Sequence, residues 1–486
     1  MLLCGRLELL LETLVNLIET DIPARMDRLP WSNWHTRVVI ALGVTWLLDG
    51  LEGSLGGSLS GALKGDRSSG GLGLSDAELG LSSSFYLGGA VLGALLFGYL
   101  ADRFGRRKLF FWTLLLYLCA TAATGLSWSL LSFTCFRVLT GAGIGGEYAA
   151  INSAVDELTP ARLRGRIDLW INGTFWLGII LGSVVSVLSL SSSIFDHAPG
   201  WRLAFCSGVP IGIFVLWMRR FIPESPRWLL SHGYLERAET VVQEVEAAVQ
   251  RGLRSLPRTT ALVRIRTHAG SSMARMIELL GGRYSRRALL CFALMAAQAF
   301  FYNSVFFSLS LVLMRYYSVS AEKVGYYFIP IAIANFLGPI LLGRFFDTVG
   351  RRTMICATYS MSGIALLGSS VLFEQDLLGA TSQVVWWAVA FFFASTAASS
   401  AYLTVSEVFP QEIRATAIAF FYAIGTLAGG VSGPLVFGHL IGSGLRTPLF
   451  AGYVAGATAM VAAGIAQGLW GVAAERRSLE SVAEIG

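Results

Sequence analysis

Gly98-Tyr-Leu-Ala-Asp102-Arg103-Phe-Gly105-Arg106-Arg107 and Gly343-Arg-Phe-Phe-Asp347-Thr-Val-Gly350-Arg351-Arg352 spell one pattern, G-x-x-x-D-x-x-G-R-R, about half a chain apart. A second pair has almost the same offset. Glu157-Leu-Thr-Pro160-Ala-Arg-Leu-Arg164 and Glu407-Val-Phe-Pro410-Gln-Glu-Ile-Arg414 both read E-x-x-P-x-x-x-R. One such loop alone would be a basic anchor and a tight turn. Two different motifs repeated at nearly one offset point to a duplicated structural unit. Gly105 and Gly350 permit a short connection between antiparallel helices. The acids and arginines are spaced for ionic contacts that can break and reform.

Each motif follows a long apolar run. Of the 486 residues, 54% are hydrophobic and only 14% charged, where a soluble domain carries about a quarter. The mean hydropathy is +0.61. This composition excludes a soluble enzyme, a disordered chain and a disulfide scaffold. A bilayer core about 30 Å thick takes roughly 20 apolar residues per helix. Twelve stretches qualify: 38–59, 79–100, 109–126, 130–154, 169–190, 203–218, 288–314, 324–343, 354–373, 384–406, 415–441 and 449–470. The expected fold is all-α and membrane-integral, with twelve transmembrane helices in two pseudo-symmetric six-helix bundles. The first repeated motif follows spans two and eight, and the second follows spans four and ten.

Basic residues orient the chain. Of its 37 Lys and Arg, only Lys64, Arg67, Arg202, Arg315, Lys323 and Arg446 fall opposite the termini, and Arg137 lies inside a span. Both termini are therefore expected in the cytoplasm of a multi-pass protein of the cell (inner) membrane. The same bias accounts for the net charge of +6 without any nucleic acid partner. The expected organisation is a cytoplasmic N-terminal segment (1–36), a first bundle (37–220), a central cytoplasmic loop (221–286), a second bundle (287–471) and a cytoplasmic tail (472–486). Leu7–Ile18 reads as a cytoplasmic or interfacial amphipathic helix, and Leu235–Val249 as a helical patch in the central loop. Met26 offers a second possible start. The six cysteines (Cys4, Cys119, Cys135, Cys206, Cys291, Cys356) have neither zinc nor redox spacing, so they read as small apolar fillers. No metal, cofactor or phosphate loop is expected.

With Arg137-x-x-x-Gly141-x-Gly143-x-Gly145 in span four and Pro223-Glu224-Ser225-Pro226-Arg227-Trp228-Leu229 after span six, these motifs resemble the major facilitator superfamily. Within it, the sugar porter and metabolite:proton symporter branches are most similar. The resemblance runs from about Arg37 to Trp470. It implies a central cavity, alternating access and loop motifs that hold the cytoplasmic side shut. The implied gating residues are Asp102, Arg103, Arg106, Arg107, Glu157, Arg164, Glu224, Arg227, Asp347, Arg351, Arg352, Glu407 and Arg414.

Four charges lie inside spans: Asp49 and Glu52 in span one, Arg137 and Glu147 in span four. A charge at mid-membrane costs about 2.5–3.5 kcal/mol on insertion scales, so retained ones face a cavity or one another. A carboxyl group shielded from water can bind and release a proton nearer neutral pH. A fixed ion pair joining helices is the bland alternative. The resemblance implies that Asp49 couples to protons and that Arg137 tunes it. Glu52 and Glu147 are further candidates.

Polar side chains stranded in apolar helices are candidate substrate contacts: Asn172, Gln298, Asn303, Asn335 and Tyr402, with Thr174 beside them. Amides both donate and accept, which suits hydroxyls and carboxylates. Hydrogen bonding between helices would explain them equally well. Against sugar porters the polar set is altered. Asn172 stands where Gln is usual, Ala297 replaces a Gln, and Tyr402 stands where Trp is usual. Asp49-Gly50-x-Glu52 looks like the Asp-Gly-x-Asp of aromatic-acid:proton symporters. The resulting expectation is a monomeric, proton-coupled symporter of a small polar metabolite: sugar, polyol, or organic or aromatic acid. The alternatives are proton-driven efflux and a non-transporting nutrient receptor. No enzymatic chemistry is expected.

Overall fold

The computed structural model describes residues 17–190, 197–250, 256, 262–266, 281–282, 284–319, 321–410 and 413–484. Twelve helical spans dominate it. In the first half these are α1 (Asn33–Ser58), α2 (Asp76–Phe104), α3 (Arg106–Gly125), α4 (Leu130–Leu158), α5 (Arg164–Leu190) and α6, which is built from His197–Cys206 and Gly208–Met218. The second half has α7 (Ser285–Tyr317), α8 (Ala321–Thr348), α9 (Arg351–Glu374), α10 (Ala380–Val408), α11 (Arg414–Gly425, a π-helical stretch Thr426–Val431, then Ser432–Gly442) and α12 (Arg446–Trp470). Ten of these are long and apolar enough to cross a membrane. The other two are α4, which carries Arg137, Glu147, Asp156 and Glu157, and the interrupted α11.

Several helices begin a turn before the apolar run does, at Arg106, Arg164, Ser285 and Arg351. Hydropathy registers only the lipid-facing length, while the backbone continues to hydrogen-bond into the polar layer. Large apolar side chains such as Leu92, Leu131, Val187, Ile213, Ile364 and Leu469 stand exposed on the outer faces. A lipid-facing surface needs them there.

The two halves repeat each other's packing. In the first, α2 lies along α4, α3 along α4 and α6, and α1 along α5. In the second, α8 lies along α10, α9 along α10 and α12, and α7 along α11. The bundles meet where α5 packs on α8 and where α2 packs on α11, contacts that are themselves equivalent under the duplication. The α2–α4 seam is very close. A Cβ at Gly93 would sit 2.0 Å from the Ala142 carbonyl oxygen, and one at Gly145 would sit 1.9 Å from that of Ala90. Small residues let membrane helices approach this tightly.

On the face carrying the loop motifs and both ends of the described chain (the terminal face), the segment before α1 forms a small layer with the central region. Strand β1 (Leu17–Thr20) pairs antiparallel with β2 (Val263–Arg266). Leu17 and Ile18 thus belong to a strand rather than to the expected helix, and Leu7–Asn16 lie outside the described residues. The pairs Ile18–Ile265 and Thr20–Val263 set branched side chains opposite one another, which favours a strand. The patch at 235–249 is a helix, Leu235–Gln250. It buries Ala238, Val242, Val245 and Val249, a single helical stripe, and packs on the short helix Ile22–Asp27. The five described cysteines are free thiols.

Candidate functional site

Among Asp49, Glu52, Arg137, Glu147 and Arg219, two ion pairs form and one acid is left over. Glu52 of α1 pairs with Arg137 of α4, and the Arg137 guanidinium also lies 4.2 Å from the centre of the Tyr86 ring. Glu147 of α4 pairs with Arg219 at the end of α6, 3.2 Å apart. Asp49 lies between these pairs. It is 2% exposed, and its Oδ1 has no hydrogen-bond partner among the described residues. Arg137 is therefore on Glu52 rather than on Asp49. Arg219 was missed in the sequence because it ends an apolar run in a basic segment, where it reads as one more anchor.

The stranded amides are turned mainly toward their own helices. Asn303 donates to the Ala299 carbonyl at 2.8 Å, and Asn335 to that of Ile331 at 2.8 Å. Asn172 donates to the Asp168 carbonyl at 2.9 Å and to Asn152 Oδ1 at 3.4 Å. Asn335 also accepts from the Tyr302 hydroxyl at 2.7 Å, and Thr174 donates to the Gly43 carbonyl at 2.8 Å. Gln298 lies 4.0 Å from Met295 Sδ. Tyr402 has a more telling place. Its ring is stacked 6.1 Å from that of Tyr148, which in turn stacks 4.8 Å from Tyr422 and meets Trp46 edge-on at 4.5 Å. These rings come from α10, α4, α11 and α1, so the aromatic cluster bridges the two bundles. No periodic pattern announces it, because each ring comes from a different helix.

At the terminal face the motif residues form a continuous polar joint. Glu157 receives Arg106, the Ser225 hydroxyl and, from the other bundle, Arg414 at 3.6 Å. Arg351 grips both oxygens of Glu407 at 3.0 Å and reaches Asp347 at 2.8 Å. Asp347 crosses between bundles: its carboxylate accepts from the backbone N–H groups of Gly165 (3.1 Å) and Arg166 (2.8 Å) at the start of α5. Trp170 Nε1 donates across the same seam to the Ile340 carbonyl at 3.1 Å. The turns are built as expected, with Gly105 at φ +95° and Gly350 at φ +118°. Glu224 accepts from the N–H of Arg106 at 3.0 Å and of Arg107 at 3.3 Å, capping the positive end of α3. Arg352 binds the Gly468 carbonyl at 2.6 Å. Arg103 and Arg107 are exposed, and the Asp102 side chain lies outside the described residues.

Three members of this joint were not anticipated. Asp27 bridges Arg164 (3.2 Å) and Arg227 (3.1 Å). Glu475 accepts from the Arg351 N–H at 3.3 Å, the counterpart at α9 of Glu224 at α3. Arg477 offers its carbonyl to Arg164 at 3.3 Å. All lie in the segments flanking the bundles, where charge has no apolar background to stand out from.

Residues 57–474 match the family described as "Sugar (and other) transporter". The chain belongs to that family. Among its curated relatives is the niacin transporter NiaP of Acinetobacter baylyi, 28% identical over 422 residues that cover 87% of this chain and 90% of that protein. Another is the 4-hydroxybenzoate transporter PcaK of the same organism, 25% identical over 430 residues, covering 87% and 88%. Among solved structures, the proton:xylose symporter XylE bound to 6-bromo-6-deoxy-D-glucose superposes with a TM-score of 0.74 at 19% identity, covering 92% of this chain and 98% of that one. The fold is thus the two-bundle fold of the major facilitator superfamily. The protein is a sugar-porter-like multi-pass membrane transporter, not an enzyme.

Proposed function

We propose that the protein is a proton-coupled symporter of the cytoplasmic membrane, acting as a monomer, with the terminal face in the cytoplasm. The observation that carries this reading is Asp49: a buried acid without an ion pair, set between two acid–arginine pairs in the same bundle. An unpaired carboxylate cannot stay charged cheaply at that depth. Asp49 therefore takes a proton from the outer side before the bundles rock and yields it when the inner side opens. Glu52–Arg137 and Glu147–Arg219 keep neighbouring charge balanced through the cycle. The joint at the terminal face is the inner gate, and residues 37–220 and 287–471 are the two rocking bodies. Opening requires Asp347 to leave the start of α5 and Arg414 to leave Glu157.

The solute class best supported is a small aromatic acid. Tyr148, Tyr402, Tyr422 and Trp46 converge from both bundles, and ring–ring pairs contribute about 0.5–1.5 kcal/mol beyond burial. Such a solute would be gripped by both halves at once. Asn172, Gln298, Asn303 and Asn335 offer polar groups once their own-helix bonds rearrange. The transport of niacin and of 4-hydroxybenzoate by two relatives agrees with this class.

The test has two stages. Melting of the purified protein is followed with niacin, 4-hydroxybenzoate, xylose and myo-inositol, and a rise with an aromatic acid but not with the sugar or polyol is expected. The selected solute is then used in proteoliposomes. Asp49→Asn should abolish uphill uptake and keep counterflow exchange. Uphill uptake by Asp49→Asn at the wild-type rate would remove Asp49 from the mechanism.

A further inference from the structure

Beside the motif residues, α4 and α5 enclose two acids, Asp156 and Asp168, that form no ion pair among the described residues. Asn152 and Asp156 are one turn apart on α4, and Asp168 and Asn172 are one turn apart on α5. The helices run antiparallel, and Asn172 Nδ2 to Asn152 Oδ1 (3.4 Å) joins the two rows. Asp156 and Asp168 are each 0% exposed. All four of their carboxylate oxygens lack a hydrogen-bond partner among the described residues.

The surroundings explain why. Arg164, Glu407, Arg414 and the Ser406 hydroxyl face Asp156, and Asp156, Glu407, Arg351 and Asn172 face Asp168. Each arginine is already engaged. Arg164 holds Asp27 and the Asp156 and Arg477 backbone carbonyls. Arg351 holds Glu407 and Asp347. Arg414 holds Glu157 and the Ser406 and Phe409 carbonyls. Glu407 adds a further negative charge near both aspartates. Two like-charged carboxylates sealed from water, with every nearby arginine engaged elsewhere, cannot both remain ionised.

We propose that Asp156 and Asp168 form a proton-binding site inside the inner gate, separate from Asp49. The pair retains a proton while the gate is closed and releases it to the cytoplasm when the gate opens. The step is a simple dissociation: a carboxyl O–H bond breaks, the proton goes to water, and the carboxylate stays on the protein. The direction of release rests on the proton-coupled reading above, but occupancy of the pair does not. Closing the gate would require rebinding, so an acidic cytoplasm would favour the outward-facing form. Both aspartates lie within or beside sequence motifs that already explain the fold, and neither is needed for that explanation.

Infrared spectroscopy of the full chain in lipid reads this without a solute. At neutral pH the C=O stretch of protonated carboxyl groups is expected in the wild type. It should persist in part in the triple variant D49N/E52Q/E147Q, and that remainder should vanish when D156N and D168N are added. D156N and D168N alone should each melt close to the wild type, because Asn mimics a neutral acid in shape. If either variant melts far lower, the other carries the comparison. Loss of the whole band in D49N/E52Q/E147Q would overturn the proposal, as would a band unchanged by D156N/D168N. A band that appears only when sodium is withdrawn would assign the pair to a metal cation and overturn it too. Each of these results leaves the Asp49 reading to stand or fall on its own uptake assay.

Discussion

Asp49 and Glu52 are one helical turn apart, yet their situations differ. Glu52 has Arg137 against it, with Tyr86 behind, so its charge is compensated in place. Asp49 has no such partner among the described residues, and in the proposed cycle it is the group whose charge is managed by a proton. Outside the membrane the same physics has a different sign. Burial alone would raise the Glu246 carboxyl, but hydrogen bonds from Arg25 and Arg28 (2.7 and 2.5 Å) hold it below the ordinary carboxylate range. A lowered folded-state value means that the clamp's contribution is fully present above the unfolded value of about 4.3 and is lost as the pH falls through the folded one. A spin label at Ala24, on the helix carrying Arg25, should therefore become mobile on acidification, and in Glu246→Gln it should already be mobile at neutral pH. An immobile label in both proteins across that range would contradict the clamp. Asp49, Glu52 and Glu147 were legible in the sequence because a charge within an apolar run stands out, whereas Asp156 and Asp168, beside the charged loop motif, were not. Nor were Arg219 and Asp27, since they sit in charged surroundings where pairing depends on three-dimensional proximity.

Helices were the most legible level. Twelve apolar runs give twelve spans, and the duplicated loops give the duplicated packing of α1–α6 and α7–α12. Less visible was the use of each glycine. Gly88, Gly89 and Gly93 look alike in the sequence, but a Cβ at Gly88 meets nothing within 4 Å, whereas at Gly93 it meets the α4 backbone at 2.0 Å. Gly93→Ala should accordingly cost about 1–3 kcal/mol through overpacking and lower the melting temperature. Gly88→Ala should be neutral or slightly stabilising, because alanine is the better helix former by about 1 kcal/mol. Equal melting of the two variants would show that the α2–α4 seam is looser than described. Also hidden from the sequence were the π-helical stretch Thr426–Val431 in α11 and the strand pair at the terminal face, both of which depend on neighbours far away in the chain.

For the whole molecule, the duplicated architecture is the basis of the proposed cycle. The contacts of α2 with α11 and of α5 with α8 are equivalent, and they form the symmetric seam about which the proposed rocking turns. Charge is distributed unequally over that symmetry. The membrane-embedded acids Asp49, Glu52 and Glu147 all belong to the first bundle, while the aromatic rings come from both. In the proposed cycle one bundle therefore handles the proton, and both hold the solute. The most direct test is proton flux during solute entry into liposomes that contain the purified protein. Adding the transported solute outside should draw protons inward with wild-type protein, visible as alkalinisation of a weakly buffered medium, and an inward proton gradient should drive accumulation. Asp49→Asn should show neither while still exchanging solute. Solute turnover by the wild type that ignores both pH difference and voltage would contradict the account.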